Sequence, residues 1–136
     1  MGAPENKQLF REIFAALATG DGKPFNDSLA EEVCWTIIGT TAWSGTYRGK
    51  RAVQEKLLRP LFAQFTGRYT NTLRRLIAED DHVVVEFGGQ VTTRTGKPYN
   101  NTYCWVCRIQ NGTIVDLTEY TDTALIAAAL SPSPLA

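Results

Sequence analysis

The sequence has few of the residues that build metal sites and disulfide frameworks. Its 136 residues include one histidine and three cysteines, and an odd cysteine count is typical of a reducing compartment. Fourteen basic residues balance fourteen acidic ones, so no charge excess favours nucleic acid or an anionic membrane as a partner. No apolar run approaches the roughly 20 residues of a transmembrane helix. The first residues lack the build of a signal peptide, so we expect a cytoplasmic protein.

The same scarcity argues against a metal or a cofactor. His82 follows two aspartates at a predicted turn, where we expect it to be exposed. Cys104 and Cys107 are three residues apart on a predicted strand, so their sulfur atoms should point to opposite faces. Gly88 and Gly89 precede no helix that would help to hold a phosphate. We therefore expect chemistry without metal or cofactor.

What the sequence does contain is a series of helices followed by a series of strands. Apolar residues at helical spacing predict a first helix, with the stripe Leu9, Phe10, Ile13, Phe14 and Leu17. A short helix should follow at residues 25–29, and then a strand at residues 33–38 and a loop at residues 39–45. A second long helix should run over residues 49–67, with a kink at Pro60. The rest predicts four strands and a short final helix, at residues 69–79, 82–94, 98–109, 113–121 and 124–130. This order indicates one α+β domain over residues 1–130, with a disordered tail at 131–136.

The side chains of the last four strands divide between the two faces of the predicted sheet. A two-residue turn at Thr95 and Gly96 would pair Glu86 with Trp105. One face would then combine polar groups with two aromatic rings: Glu86, Gly88, Gln90, Asn101, Tyr103 and Trp105. This mixed face predicts a ligand pocket. The opposite face would carry apolar residues suited to a homodimer interface: Val83, Val85, Phe87 and Val106.

The position of Glu119 depends on one turn. A two-residue turn at Asn111 and Gly112 pairs Glu119 with Cys104, away from the mixed face. A three-residue loop with a bulge at Gly112 places Glu119 beside Trp105 instead. Inside a pocket, loss of solvent would raise its pKa into the range of a general acid or base. The alternative is that Glu119 is an ordinary surface glutamate or forms a salt bridge with Arg74, Arg75 or Arg108.

Three parts of the sequence carry a family resemblance. They are the helical stripe that ends at residues 20–21, the segment SGTYRGKRAV at residues 44–53, and the segments GTI and EYTD at residues 112–114 and 119–122. They resemble the nuclear transport factor 2-like superfamily, and within it the ketosteroid-isomerase-related, SnoaL-like (polyketide-cyclase-like) proteins, over about residues 5–130. The resemblance implies a cone-shaped α+β barrel. In such a cone, three to four helices pack on the concave side of a strongly bent, mostly antiparallel sheet, around a deep pocket, and the outer face often forms a dimer.

The catalytic residues of the best-known relatives are not matched. The base, the oxyanion tyrosine and the protonated aspartate of ketosteroid isomerases fall on Thr36, Ile13 and Trp105. In limonene-epoxide-hydrolase-like enzymes, the arginine and the acid fall on Glu86 and Gly88. Their last-strand base falls on Glu119, which favours the arrangement with Glu119 in the pocket.

These observations select the candidate site residues. Glu119 and Glu86, about 10 Å apart, would form an acid/base pair. Tyr103 and Asn101 would orient a substrate oxygen. The other expected contacts are Trp105, Trp43, Tyr47, Gln90 and Thr36.

The resemblance and the pocket together indicate a cofactor-independent acid/base enzyme. It would be an isomerase, cyclase or lyase acting on an apolar or aromatic small molecule. One alternative is a non-catalytic binding or dimerisation module of the same fold. A third hypothesis is a hydrolase similar to limonene epoxide hydrolase.

Overall fold

A computed structural model describes residues 2–132 of the chain. Its helices are α1 (Ala3–Leu17), α2 (Lys23–Ser28), α3 (Lys50–Ala52), a π-helical segment (Val53–Leu58), α4 (Arg59–Phe62) and α5 (Thr123–Ala129). Its strands are β1 (Leu29–Ile37), β2 (Gly45–Arg48), β3 (Phe65–Glu79), β4 (His82–Thr93), β5 (Thr102–Gln110) and β6 (Thr113–Thr121). The last four residues of the expected tail, 133–136, lie outside the described residues.

Within residues 2–132, the six strands form one curved sheet in the order β2-β1-β6-β5-β4-β3. Only the pair of β1 and β6 is parallel, and every other pair is antiparallel. The helices pack on the concave side and enclose the core with it. This architecture confirms the predicted α+β class and the mostly antiparallel sheet of a cone-shaped fold. None of the described helices combines the length and apolar character needed to cross a membrane.

The predicted first and last helices are confirmed. The stripe of α1 places Phe10, Ile13 and Phe14 in the core. At the start of α5, the Asp122 carboxylate accepts a hydrogen bond from the Leu125 amide at 3.2 Å, which satisfies an amide that has no partner within the helix.

The second long helix is shorter and less regular than predicted. It runs through α3, the π-helical segment and α4, and ends at Phe62, so the expectation that it reaches Gly67 is wrong. The amide of Arg59 donates to the carbonyl of Gln54, five residues earlier. The irregularity expected at Pro60 thus takes the form of π-helical hydrogen bonding just before the proline. Gly67 lies in β3 with a φ of +76°.

One strand was not predicted. β2 pairs with β1 in antiparallel fashion at the edge of the sheet, where a loop was expected to lead directly into a helix. Its four residues are mostly exposed, so they show no apolar alternation that would distinguish a strand from a loop.

The predicted register between β4 and β5 is wrong by one residue. The Gly96 amide donates to the Thr93 carbonyl at 2.9 Å, and the Thr93 amide donates to the Lys97 carbonyl at 2.8 Å. The loop therefore has three residues, with Gly96 in the left-handed region at a φ of +86°. As a result, Val85 pairs with Trp105, and Glu86 pairs with Cys104. A shift of one residue exchanges the two faces of a strand, so β4 presents the opposite set of side chains to the pocket.

The turn between β5 and β6 is the two-residue turn at Asn111 and Gly112, both with positive φ. A bulge nevertheless occurs, because Ile109 pairs with Ile114 while Arg108 pairs with Asp116. The extra residue of β6 is Val115, not Gly112. This bulge places Glu119 opposite Trp105, as the second of the two arrangements predicted.

The corrected register changes the expected dimer surface. Val83, Val85 and Phe87 are at most 1% exposed and form part of the core, so their placement on an outer interface is wrong. Val106 alternates with the buried residues Trp105 and Cys107 and thus lies on the outer face. The sulfur atoms of Cys104 and Cys107 diverge as predicted, because their residues face opposite sides of β5.

Candidate substrate pocket

A cavity of about 940 Å³ lies between the concave face of the sheet and the helices. This volume is in the range of pockets that hold drug-sized ligands. All three tryptophans of the chain line it: Trp35, Trp43 and Trp105. The π-helical segment contributes Gln54, Leu57 and Leu58 to the wall.

Glu119 is the acidic group of this cavity. It follows the Val115 bulge on β6, is 6% exposed and lines the cavity. Its Oε1 atom accepts a hydrogen bond from the indole Nε1 of Trp105 at 2.9 Å. Among the described residues, no lysine, arginine or histidine forms a salt bridge with it. Glu119 is therefore a buried carboxyl group held by a neutral donor.

This environment sets the acidity of Glu119. Burial disfavours the charged form and raises its pKa from 4.5 to about 7. The indole N–H groups of Trp105 and Trp35 act in the opposite direction, and their effect is smaller than that of burial. Near pH 7, comparable fractions of Glu119 are protonated and ionised, so this residue can donate or accept a proton.

Two buried polar groups in the cavity wall have no hydrogen-bond partner among residues 2–132. The first is the indole Nε1 of Trp35, which faces the Glu119 carboxyl group but lies outside hydrogen-bond geometry. The second is the side-chain oxygen of Asn71 on β3. Both residues are 4% exposed and line the cavity. An unsatisfied buried polar group costs about 1–3 kcal/mol, so a ligand that donates a hydrogen bond to the Asn71 oxygen removes a penalty.

Three tyrosines form a hydroxyl cluster in the same cavity. The hydroxyl groups of Tyr69 and Tyr103 are 2.9 Å apart. Tyr99 accepts a hydrogen bond from the Asn101 side-chain amide at 3.2 Å. Burial raises the pKa of Tyr99 to about 12 and raises the pKa values of Tyr69 and Tyr103 well above 10. All three therefore stay protonated at neutral pH and act as hydrogen-bond donors.

Four of the predicted site residues line the cavity: Glu119, Tyr103, Trp105 and Trp43. A fifth, Tyr47, lies behind the wall, where its hydroxyl group donates to the Trp43 carbonyl at 2.7 Å. Tyr47 therefore supports Trp43 rather than lining the cavity.

Asn101 is buried, but its hydrogen bonds are used within the fold. Its side chain donates to Tyr99 and to the Asp122 carbonyl, and accepts from the amides of Thr102 and Asp122. Asn101 therefore holds Tyr99 and the start of α5 in place, and it does not line the cavity.

Three other predicted residues lie on the outer face of the sheet. Glu86 forms an ion pair with Arg75 at 3.1 Å, with 43% of its side chain exposed. Gln90 is exposed and contacts Thr70 and Thr72, because the corrected register of β4 turns it outward. Thr36 alternates with the inward residues Trp35 and Ile37 and contacts Thr46 across β2. The predicted acid/base pair of Glu119 and Glu86 is therefore separated by the sheet.

The pocket residues that the sequence did not predict include Trp35, Tyr69, Asn71 and Tyr99. Trp35 lies in a predicted strand, and its alternation with Val33 and Ile37 was the signal for its inward direction. Tyr69 and Asn71 lie two residues apart on β3, so alternation predicts that they share a face of the sheet. The sequence did not show which face of β3 points inward, because that depends on the register with β4. Tyr99 lies in the irregular residues 97–101, where alternation gives no signal. The described residues contain no cluster of three or more potential metal ligands, and His82 lies at an exposed turn beside Asp81.

The fold and the cavity place the chain among small α+β proteins in which helices and a bent sheet enclose a cavity. An NTF2-like protein of Burkholderia thailandensis E264 is similar in structure, with 28% identity, a TM-score of 0.78, and coverage of 97% of this chain and 100% of that chain. A protein assigned as a SnoaL-like polyketide cyclase, from Jannaschia sp. CCS1, has 12% identity, a TM-score of 0.73, and coverage of 96% and 95%. TerC co-crystallised with polyporic acid has 20% identity, a TM-score of 0.72, and coverage of 88% and 92%.

A family model of the SnoaL-like domain matches residues 10–117. The match covers well over half of the chain, which belongs to this SnoaL-like family within the nuclear transport factor 2-like superfamily. No curated protein sequence matches the chain.

Proposed function

We propose that the chain is a cofactor-independent acid/base enzyme that acts on an apolar or aromatic small molecule, with Glu119 as the proton carrier. The observation that carries this proposal is a buried carboxyl group, with a pKa of about 7, in the wall of a 940 Å³ cavity. Perturbed carboxyl groups of this kind cluster at catalytic sites. Neighbours assigned as a polyketide cyclase or crystallised with polyporic acid support a ligand of this class.

The geometry suits a reaction that forms an enolate. The Glu119 carboxylate takes a proton from the carbon beside a substrate carbonyl. The electron pair of the broken C–H bond forms a carbon–carbon double bond, and the π pair of the carbonyl moves onto its oxygen. The protonated Glu119 then returns that proton at another carbon in an isomerase. In a cyclase, the enolate carbon attacks a second carbonyl carbon, whose oxygen receives the proton. No oxidant or metal enters this balance.

The tyrosine cluster supplies the group that stabilises the enolate oxygen. Trp105 is the strand partner of Glu119. Tyr103 lies two residues before Trp105 on β5, faces the same side of the sheet, and is about 7 Å from it along the strand. In the hydroxyl pair of Tyr69 and Tyr103, one group donates to the other, so the second hydrogen stays available for a substrate oxygen. A positioned donor of this kind contributes roughly 100-fold or more to catalysis.

The experiment is a turnover screen followed by a single substitution. Isomerisation and intramolecular condensation of aromatic ketones and esters would be followed by NMR with the wild-type chain. Glu119→Gln keeps the size of the side chain and removes the proton carrier, so turnover should fall by at least about 100-fold. Glu86→Gln is the matched control and should leave turnover within about twofold. Unchanged turnover in Glu119→Gln would overturn the assignment.

A non-catalytic binding module is the second candidate function. The observation in its favour is that Glu86 is outside the cavity, so Glu119 lacks the carboxylate complement that the sequence predicted. Ligand binding without turnover across the whole screen would favour this candidate. The epoxide-hydrolase hypothesis loses support because Glu86 and Gly88 face away from the cavity.

We also propose that two copies of the chain form a homodimer through the outer face of the sheet. The outer face of the sheet carries apolar side chains in Val84, Val106 and Tyr120, the last 46% exposed. Two ion pairs on this face, Arg75 with Glu86 and Arg108 with Asp116, are neutral as pairs and add no net charge to it. Light scattering would detect the dimer, and Val106→Glu should convert it to a monomer. A monomeric wild-type chain at micromolar concentration would contradict this part.

A further inference from the structure

The mouth of the cavity has a charge pattern that the proposed acid/base chemistry does not use. The exposed lining residues come from the turn after α1, the first residue of α2, α4 and the start of β3. The charged residues among them are all cations: Lys23, Arg59 and Arg68. The chain as a whole has a formal net charge of zero, so this excess of positive charge is local.

Two of these cations are not neutralised by a carboxylate. Lys23 forms an ion pair with Asp27, one turn later on α2. Neither Arg59 nor Arg68 forms a salt bridge within residues 2–132. These two guanidinium groups therefore carry the positive charge of the mouth.

The backbone holds Arg68 at this position. Its Nη1 atom donates to the Thr19 carbonyl at 3.1 Å. Gly20 makes room for its side chain, because a Cβ atom there would lie 2.5 Å from the Arg68 Cγ atom. Gly20 also has a φ of +84°, which other residues rarely adopt. A side chain already held in place loses less entropy when it binds a ligand.

Aromatic rings lead from this mouth toward the interior. Phe62 is 50% exposed at the mouth, and its ring centroid lies 6.2 Å from that of Phe65. Phe65 in turn stacks on Tyr99, with centroids 5.8 Å apart and planes 27° apart. Tyr99 belongs to the hydroxyl cluster. A flat apolar molecule can therefore contact rings along the whole path from the mouth to the cluster.

We propose that the pocket takes an aromatic molecule with an anionic group, a carboxylate or a phosphate, that binds at Arg59 and Arg68. This inference rests on the proposed small-molecule function of the pocket and specifies its substrate class. Guanidinium groups bind both anions through paired N–H donors. The uncharged end of the molecule would point inward, because an anion beside Glu119 would find no cation there. The anion thus fixes the direction in which the substrate enters.

The test compares three probes that share one ring system: 2-naphthoate, 2-naphthyl phosphate and the neutral 2-naphthamide. Binding would be followed at pH 6 by quenching of the three tryptophans, corrected for probe absorbance, since all three line the cavity. At low salt we expect at least one anion to bind about 3–10-fold more tightly than the amide. This preference should shrink at 0.5 M NaCl, because salt screens exposed charges. The anion with the larger preference identifies the carboxylate or the phosphate as the group recognised.

A double variant assigns the preference to the mouth. Arg59→Gln combined with Arg68→Gln should reduce anion binding to the level of the amide while the amide keeps its affinity. Lys56→Gln is the matched control, because Lys56 is an exposed cation of the π-helical segment outside the cavity lining. Equal affinity for all three probes would overturn the anion site and leave the proposed function standing. Absence of binding by all three would contradict the aromatic pocket itself.

Discussion

The two faces of the sheet give the same amino acid opposite properties. Glu119 on the concave face is 6% exposed, has a neutral indole as its partner, and has a pKa raised to about 7. Glu86 on the outer face is 43% exposed and has the Arg75 guanidinium as its partner at 3.1 Å. The comparison shows that burial without a cation, rather than residue type, makes a carboxyl group suitable for proton transfer at neutral pH.

The largest difference between the faces should appear in stability. Phe87 on the concave face is 1% exposed, and its ring lies within 5 Å of Phe14, Tyr103 and Trp105. Phe87→Ala should lower the free energy of unfolding by about 3–5 kcal/mol. Val84→Ala on the outer face should cost no more than about 1 kcal/mol when both variants are compared at a concentration that keeps the chain monomeric. Guanidinium chloride denaturation measures both, and similar losses would remove the distinction between the faces.

A second difference should appear in the pH dependence of stability. The pKa of Glu119 is raised on folding, so its protonated form is favoured in the folded state. Its contribution is therefore complete below pH 4.5 and is lost as the pH rises to about 7. Between pH 5 and pH 8 the loss should be about 2–3 kcal/mol.

The difference between wild type and Glu119→Gln isolates this contribution from other titrating groups. Urea denaturation at several pH values would measure it, with Glu86→Gln as the control that keeps the wild-type slope. Parallel pH profiles for wild type and Glu119→Gln would show that the Glu119 environment does not shift its pKa.

Substitutions in the loop between β4 and β5, which sets the residues of β4 that face inward, should have a smaller effect on stability. Gly96 has a φ of +86°, and nothing lies within 4 Å of the position of its missing Cβ atom. Gly96→Ala should cost about 1 kcal/mol through backbone strain alone. Gly96→Asn should cost less, since asparagine tolerates this conformation. Thermal unfolding separates the two, and equal, negligible losses would contradict the three-residue loop.

The smallest effect should come from the ion pair of the outer face. In the single chain Arg75 and Glu86 are largely exposed, so at a protein concentration low enough to keep the chain monomeric, breaking the pair should cost less than about 1 kcal/mol. A double-mutant cycle of Arg75→Gln and Glu86→Gln should give a coupling that disappears at high salt. A coupling of several kcal/mol would mean that the outer face is also desolvated in solution.

Much of the fold could be predicted from the sequence, because its signals are local. The apolar stripe of α1, the Asp122 cap and the turn at Asn111 and Gly112 depend only on neighbouring residues. The face of each strand depends on long-range register instead. A loop of three rather than two residues before Lys97 moved Glu86 and Gln90 out of the predicted site.

The pocket could be predicted less completely for the same reason. The Val115 bulge places Glu119 inside, and that bulge has no glycine to mark it. Tyr69 and Tyr103 are 34 residues apart in sequence, so their hydroxyl contact arises only when three strands pair. The family resemblance correctly predicted the cone-shaped fold. Of the catalytic positions of the better-known relatives, only the last-strand base falls on a matching acidic residue in this chain, Glu119.

We propose that Glu119 is an acid/base group that titrates near neutral pH, and one NMR titration measures this property directly. Chains labelled with ¹³C at the glutamate side-chain carboxyl would be titrated by NMR, and Glu119→Gln would assign the resonance by its loss. We expect one carboxyl group to titrate near pH 7, well above the ordinary glutamate pKa of 4.5. A Glu119 resonance that titrates between about pH 4 and pH 5, like those of exposed glutamates, would contradict it.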